Sequence, residues 1–146
     1  MPTYTCATRP GLLSDAQRAE IAEAISRAHE AATGAQVFFA QVVFEECAHR
    51  FIGGVSSDAH VMVRGDVRAG RSVAQRTTLV ETIAREVAAI TGVGATDIWV
   101  YLNELAPTDM VEFGHVLPEP GQEAAWLEAL PPALRETLLS LARTRD

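Results

Sequence analysis

Ser14-Asp15-Ala16-Gln17-Arg18 recurs 58 positions later as Ser72-Val73-Ala74-Gln75-Arg76. Each copy is a capping box, in which the serine hydroxyl can accept a hydrogen bond from the backbone N–H of the glutamine while the glutamine side chain bonds back to the serine. With the same offset, twelve positions between Ser14 and Glu46 carry the residue type found in the second half. The repeat therefore indicates a chain built from two copies of one β-α-β unit.

Strands are predicted on both sides of each capped helix, because the flanking residues are rich in β-formers. Glycines follow the helices at Thr33-Gly34 and Thr91-Gly92, where a left-handed residue can end a helix. Right-handed crossovers then give a mixed α/β (α+β) fold, a four-stranded sheet with both helices on one face. The predicted strands are residues 3–8, 37–45, 60–64 and 98–102.

We expect a single domain over residues 1–146, with β-α-β repeats at about 2–46 and 60–104 and an extension over about 106–146. Residues 51–55 are predicted to form a short strand between the units, and 110–116 a short strand or hairpin. The extension contains two short amphipathic helices, 124–130 and 132–143, which we expect to pack on a neighbouring subunit. The sheet face without helices carries apolar residues and predicts oligomerisation through that face.

The composition describes an acidic protein with a substantial apolar core. Net charge is −7 and hydrophobic residues make up 48% of the chain, so the sequence lacks the basic footprint of a nucleic-acid-binding protein. Cys6 and Cys47 show no metal-ligand spacing, and we expect no metal site. No export signal or membrane span is recognisable, and a cytoplasmic location is expected.

Two stretches, Met1-Pro2 and the loop with Arg68 and Arg71, have the clearest chemical potential. If the initiator methionine is removed, Pro2 carries a free secondary amine, and an α-amino pKa near ~8 is easily shifted by burial or neighbouring charges. The two arginines precede the Ser72 cap, where guanidinium groups and helix N–H groups can bind a carboxylate. From these residues alone, an ordinary Met-Pro start and a solvated arginine pair remain open.

Three further residues are candidates whose structural roles are equally ordinary. His29 continues the apolar stripe of the first helix, so a satisfied core histidine is the alternative to a catalyst. Tyr101 lies in a predicted strand and is by default a core tyrosine. Glu112 is flanked by apolar residues and could activate a water molecule, or it could be a surface residue of an edge strand.

Taken together, these features resemble the tautomerase superfamily, and specifically its cis-3-chloroacrylic acid dehalogenase group. The similarity extends from Pro2 to about Leu130 and includes the Met-Pro start and the duplicated unit. The matching segments are 28–29, 68–72, 98–101 and 110–114. The resemblance implies a homotrimer without a cofactor, and functional roles for Pro2, His29, Arg68, Arg71, Tyr101 and Glu112.

By resemblance, the substrate is a small α,β-unsaturated carboxylate such as a cis-3-haloacrylate. Arg68 and Arg71, helped by His29, are implied to bind its carboxylate. Glu112, with Tyr101, is implied to activate water for attack at C3 while protonated Pro2 delivers a proton to C2. The halohydrin then collapses to malonate semialdehyde and halide.

Four positions depart from the group's pattern: Ala35, Phe39, Phe113, which replaces a tyrosine, and His115, which replaces an arginine. These four differences bear on which substrate the protein prefers more than on the type of reaction. A keto–enol tautomerase acting on an enol such as phenylenolpyruvate or 2-hydroxymuconate, with Pro2 as a base, is the alternative. A non-catalytic oligomeric carboxylate-binding protein is a further one, for a chain that keeps its methionine.

Overall fold

Both predicted capping boxes form and fix where the two long helices begin. The computed structural model describes residues 2–36 and 39–143. Ser14 Oγ accepts from Gln17 N at 3.2 Å, and Ser72 Oγ accepts from Gln75 N at 3.1 Å. Each glutamine side chain in turn accepts from the N–H of its serine.

The helices are α1 (Asp15–Thr33) and α2 (Val73–Thr91), each 19 residues long. Gly34 and Gly92 end them in the left-handed conformation, both with φ 71° and ψ 4°. A residue other than glycine is strained in this conformation. A glycine at the same position of both halves therefore lets the chain leave the helix there. The duplicated unit is thus repeated in geometry as well as in sequence.

Four long strands form one sheet: β1 (Thr3–Thr8), β2 (Gln41–Glu46), β5 (Val61–Arg68) and β6 (Ile98–Leu105). Their order in the sheet is β2-β1-β5-β6. Each repeat contributes a parallel pair, β1 with β2 and β5 with β6, and β1 pairs antiparallel with β5 to join the repeats. The mixed α+β fold with a four-stranded sheet and two helices on one face is confirmed.

Two small hairpins and two C-terminal helices complete the fold. The predicted short strand at 51–55 is a hairpin of β3 (Phe51–Ile52) and β4 (Val55–Ser56), and a second hairpin consists of β7 (Val111–Glu112) and β8 (His115–Val116). The C-terminal helices are α3 (Glu123–Ala129) and α4 (Pro132–Arg143).

The second predicted strand starts later than expected. Val37 and Phe38 lie outside the described residues, and β2 begins at Gln41, whose N–H donates to Pro2 O at 2.9 Å. The apolar residues of the C-terminal helices pack within the chain, and their packing on a neighbouring subunit stays a prediction. Leu130 and Leu138 are buried together with Phe39 and three apolar residues of α3 and α4, Trp126, Leu127 and Leu134.

The main core lies between the sheet and the two helices. It is built from alternate residues of the strands and from one stripe of each helix. Gly65 is required inside this core, because a Cβ there would lie 2.5 Å from Tyr4 Cε1. Fully buried members include Tyr4, Cys6, Ile21, Ile25, Val61, Val63, Leu79, Ile83 and Val87.

None of the helices that the structure describes lies over the opposite sheet face, which is mixed in character. Val43, Trp99 and Tyr101 are exposed there to between 36% and 51%, beside the exposed polar residues Arg64 and Asp66. Phe44, in contrast, packs against the helix-side core. The predicted uncovered face is therefore present, but it is more polar than the valine, phenylalanine and tryptophan pattern indicated. No helix among the described residues is long and apolar enough to cross a bilayer.

His60 introduces a pH dependence into the stability of this fold. Its ring is buried edge-on against Trp99, and neither ring nitrogen has a hydrogen-bond partner among residues 2–36 and 39–143. Burial, reinforced by the positive charge of Arg50 and partly opposed by Asp97, lowers the pKa of His60 below its ordinary 6.5. The unfolded chain therefore binds a proton there more readily, so stability is retained above about pH 6.5 and lost as the pH falls below it.

We expect His60→Phe to reduce the loss of unfolding free energy between pH 7 and pH 5, because the phenylalanine keeps the aromatic contact and cannot titrate. His49→Phe, at an exposed histidine, is the matched control and should keep the wild-type pH dependence. Urea unfolding at both pH values measures the difference. An unchanged pH dependence in His60→Phe would show that this histidine does not titrate on unfolding.

Candidate active site

The antiparallel pairing of β1 and β5 brings the start of the chain beside the end of β5. Thr3 pairs with Asp66, so Pro2 lies next to the loop that carries Arg68 and Arg71. A small cleft, partly open to solvent, lies at this end of the sheet. Four of the six predicted residues line it, Pro2, His29, Arg68 and Arg71, together with Ala35, Phe39, Leu117, Pro118 and Glu123.

His29 is buried on the sheet-facing side of α1 and is held by a residue of β1. Its Nδ1 lies 2.8 Å from the hydroxyl of Tyr4, which is itself fully buried. Burial, and then the positive charge of Arg71 and Arg68, lowers the pKa of His29 to about 4. The imidazole is therefore neutral at physiological pH. When the Tyr4 hydroxyl donates to Nδ1, Nε2 carries the proton and can donate to a carboxylate.

Arg68 ends β5 and is bound by the C-terminal extension. Its Nη1 donates to Pro118 O at 2.6 Å, and its Nη2 forms an ion pair with Glu123, the first residue of α3. Only 11% of the Arg68 side chain is exposed. Although burial opposes it, hydrogen bonding to its own backbone and to Arg68 keeps the pKa of Glu123 below its usual value, so the pair is ionised.

Arg71 has a different environment three residues later. Its guanidinium makes no hydrogen bond or ion pair with the described residues, yet it lines the same cleft. Burial and the neighbouring charge of Arg68 lower its pKa, while Glu123 raises it, and an arginine remains charged throughout. Gly70 lets the loop turn here with φ 107°, and a Cβ at this position would lie 2.7 Å from Pro120. Arg71 is thus a cation available to an anionic ligand.

Glu112 lies at the turn of the β7–β8 hairpin, opposite His115. Glu112 is not among the residues that line the cleft. It is partly buried, and the positive charge of Arg68 is close enough to affect its pKa. Burial raises the pKa of Glu112, and the positive charges nearby oppose the rise. The next residue, Phe113, has φ 53°, a left-handed conformation that a bulky side chain rarely adopts.

Tyr101 does not meet the other candidates within one chain. It pairs with Arg64 in the middle of β6 and is 51% exposed on the uncovered sheet face. Arg68 pairs with Leu105, four residues further on, so Tyr101 lies roughly 13 Å along the strand from the level of Arg68.

Sequence reasoning missed Glu123 and Tyr4 as parts of the site. Glu123 lies in the extension, for which only a hairpin and two helices were predicted, and its partner Arg68 lies 55 residues earlier. Tyr4 is buried on one face of β1, between the half-buried Thr3 and Thr5. This alternation was the only sequence signal that Tyr4 would point toward α1 and His29. Within residues 2–36 and 39–143, no group of three or more His, Cys, Asp or Glu side chains is placed to hold a metal ion.

We expect Tyr4→Phe to weaken binding of a small carboxylate by about fivefold, because a lost hydrogen bond of about 1 kcal/mol frees His29 to change tautomer. Calorimetric titration with crotonate measures the effect. Thr5→Val, on the opposite face of the same strand, is the control and should leave affinity unchanged. Equal affinity in Tyr4→Phe and wild type would mean that the tyrosine does not set the histidine tautomer.

Comparisons with known proteins place this arrangement among related folds. A family described as "Tautomerase enzyme" matches residues 39–110. The crystal structure of N1, a member of the cis-3-chloroacrylic acid dehalogenase family, is 33% identical with a TM-score of 0.92, over 94% of this chain and 99% of that one. Native Ps01740 is 31% identical, with a TM-score of 0.72 over 75% and 99% of the two chains.

More distant structures share the fold alone. The fused 4-OT wild-type asymmetric trimer F6 is 19% identical and has a TM-score of 0.73, over 85% of this chain and 98% of that one. No curated protein matches the sequence.

Proposed function

Because the chain belongs to the cis-3-chloroacrylic acid dehalogenase group of the tautomerase superfamily, we propose that it is a cofactor-independent hydratase or dehalogenase of small α,β-unsaturated carboxylates. The observation that carries the proposal is the meeting of Pro2, His29, Arg68 and Arg71 around one cleft. The Pro2 nitrogen, which is an amine once Met1 is removed, a neutral imidazole and two guanidinium groups thereby line one small space.

The proposed reaction begins with carboxylate binding by Arg71, assisted by the N–H of neutral His29. Positive charge at the carboxylate withdraws electron density from the double bond, so C3 becomes electrophilic. Arg68 lines the same cleft in its ion pair with Glu123. Ala35, Phe39 and Leu117 provide an apolar wall against which the unsaturated end can lie.

Water addition then needs a base and an acid. Glu112 takes a proton from a water molecule whose oxygen attacks C3, and the protonated Pro2 amine gives a proton to C2, so hydroxyl and hydrogen add across the double bond. From a 3-haloacrylate the product is a halohydrin, which loses halide and a proton to give malonate semialdehyde. This role for Pro2 requires the free amine, and Met1 lies outside the described residues.

Tyr101 can take part only if the uncovered sheet face meets the cleft of another subunit. We propose a homotrimer, by analogy with the fused 4-OT trimer and because exposed apolar side chains lie on that face. In that arrangement Tyr101 of one subunit assists Glu112 of another.

The test is a panel of substrates offered to protein whose N-terminus has been confirmed by mass spectrometry. We expect malonate semialdehyde from cis-3-chloroacrylate or its trans isomer, or from hydration of propiolate. Protein that retains its methionine should be inactive, because Pro2 is then an amide. If none of the three acids yields malonate semialdehyde with the processed protein, the hydratase proposal is wrong.

Substitutions should separate binding from hydration. Arg71→Ala should raise KM on the order of 100-fold, because it removes the cation that receives the carboxylate. Glu112→Gln should leave ligand affinity nearly unchanged and lower kcat by about 100-fold or more, because the amide cannot accept a proton. Arg27→Ala, at an exposed arginine of α1, is the matched control. Full hydratase activity in Glu112→Gln would contradict the role given to this carboxylate.

Keto–enol tautomerisation is the second candidate, favoured by the guanidinium groups beside Pro2. Cations lower the pKa of an amine, so a Pro2 pKa well below neutrality would make it a base that moves a proton on an enol substrate. A pKa above neutrality, raised by a carboxylate such as Glu112, favours the acid of the hydratase. Titration of the Pro2 amine by NMR and assay with phenylenolpyruvate distinguish the two.

A further inference from the structure

Two guanidinium groups line the cleft, but they are not equally available to a ligand. Arg68 is 89% buried at its side chain and already donates to Pro118 O and to the carboxylate of Glu123. The Arg71 guanidinium forms no hydrogen bond or ion pair with the described residues, although it lines the same cleft. The two arginines therefore differ in what they can offer a substrate, although the sequence pattern treats them alike.

Glu123 is itself one of the residues that line the cleft. It lines the same space as Pro2, His29 and the two arginines, its carboxylate is bound to Arg68, and a third of its side chain is exposed. An anion that approached Arg68 would meet this negative charge at short range, which costs several kcal/mol when like charges are juxtaposed. The Arg68–Glu123 pair thus presents little net charge to a ligand, and the excess positive charge lies at Arg71.

The remaining wall is apolar. Ala35, Phe39 and Leu117 line the cleft and offer no donor for a second anionic group from their side chains. A ligand with one carboxylate at Arg71 can place an uncharged end against this wall. A ligand with two carboxylates must place the second one near Glu123 or against apolar side chains, and both positions are unfavourable.

We propose that Glu123 is a specificity-determining residue, which neutralises Arg68 and so restricts the cleft to monocarboxylates with an uncharged opposite end. This inference rests on the proposed function, since it assumes that the cleft binds the substrate carboxylate. It names the substrate class more narrowly: short unsaturated monocarboxylates are accepted, and dicarboxylates of similar length are rejected. Glu123 acts through its negative charge and through the ion pair that it forms with Arg68.

The experiment measures dissociation constants for crotonate and fumarate, which match in chain length and differ in one carboxylate. Wild-type protein should bind crotonate more tightly than fumarate. Glu123→Gln, which keeps the shape of the side chain and removes its charge, should shift the ratio toward fumarate by about tenfold or more. Glu119→Gln removes the same charge from an exposed residue of the same segment and should leave the ratio unchanged.

The ratio distinguishes specificity from a structural role. If Glu123 only anchored α3 to β5, its loss would weaken both ligands alike and the ratio would stay fixed, which would overturn the inference. Failure of wild-type protein to bind either ligand would overturn the carboxylate cleft, and with it both proposals. Crotonate binding with an unchanged ratio in Glu123→Gln would overturn this inference and leave the proposed function intact.

A second pair of variants tests the same idea without relying on Glu123→Gln. Arg68→Met leaves Glu123 unneutralised and should weaken binding of both ligands, fumarate more strongly. Adding Glu123→Met removes the whole pair and restores the net charge of the cleft, so the double variant should bind crotonate more tightly than Arg68→Met does, since a buried ion pair can often be replaced by apolar residues. If the double variant binds crotonate no better than Arg68→Met, Glu123 does not neutralise Arg68.

Discussion

The antiparallel pairing of β1 with β5 is the constraint on which the cleft depends. Each repeat by itself is a parallel β-α-β unit, and Pro2 belongs to the first unit whereas Arg68 and Arg71 belong to the second. The pairing turns the second unit around relative to the first, so that the start of β1 lies beside the end of β5. The loop that follows β5 then carries Arg68 and Arg71 to the position where the chain begins.

Packing behind the cleft determines the chemistry of its histidine. The missing side chain of Gly65 leaves room for the ring of Tyr4, and the Tyr4 hydroxyl contacts His29 Nδ1. Because His29 is buried next to two guanidinium groups, its neutral form is favoured and it serves as a hydrogen-bond donor or acceptor, not as a third cation. The side chains that stabilise the core therefore also favour the neutral form of His29 in the cleft.

Much of the fold could be predicted because its signals are local. Capping boxes at Ser14 and Ser72, and the glycines at 34 and 92, fix the helix ends through contacts between residues a few positions apart. Family resemblance selected four residues that the fold does bring together. The beginning of β2 was predicted less well, because apolar β-formers at 37–45 do not reveal which of them pair with β1, and the polar content of the uncovered face was underestimated.

The sequence by itself determined the repeat, the helix boundaries and the residue types available for chemistry, since these follow from short-range hydrogen bonding and side-chain identity. Only the tertiary structure decided which of those residues meet. Glu123 reaches Arg68 across 55 positions, and Tyr101 stays on the far face of the sheet, because strand register and the path of the C-terminal extension set both distances. The two arginines look equivalent in the chain, and they differ in the fold because one of them has its counter-charge within reach.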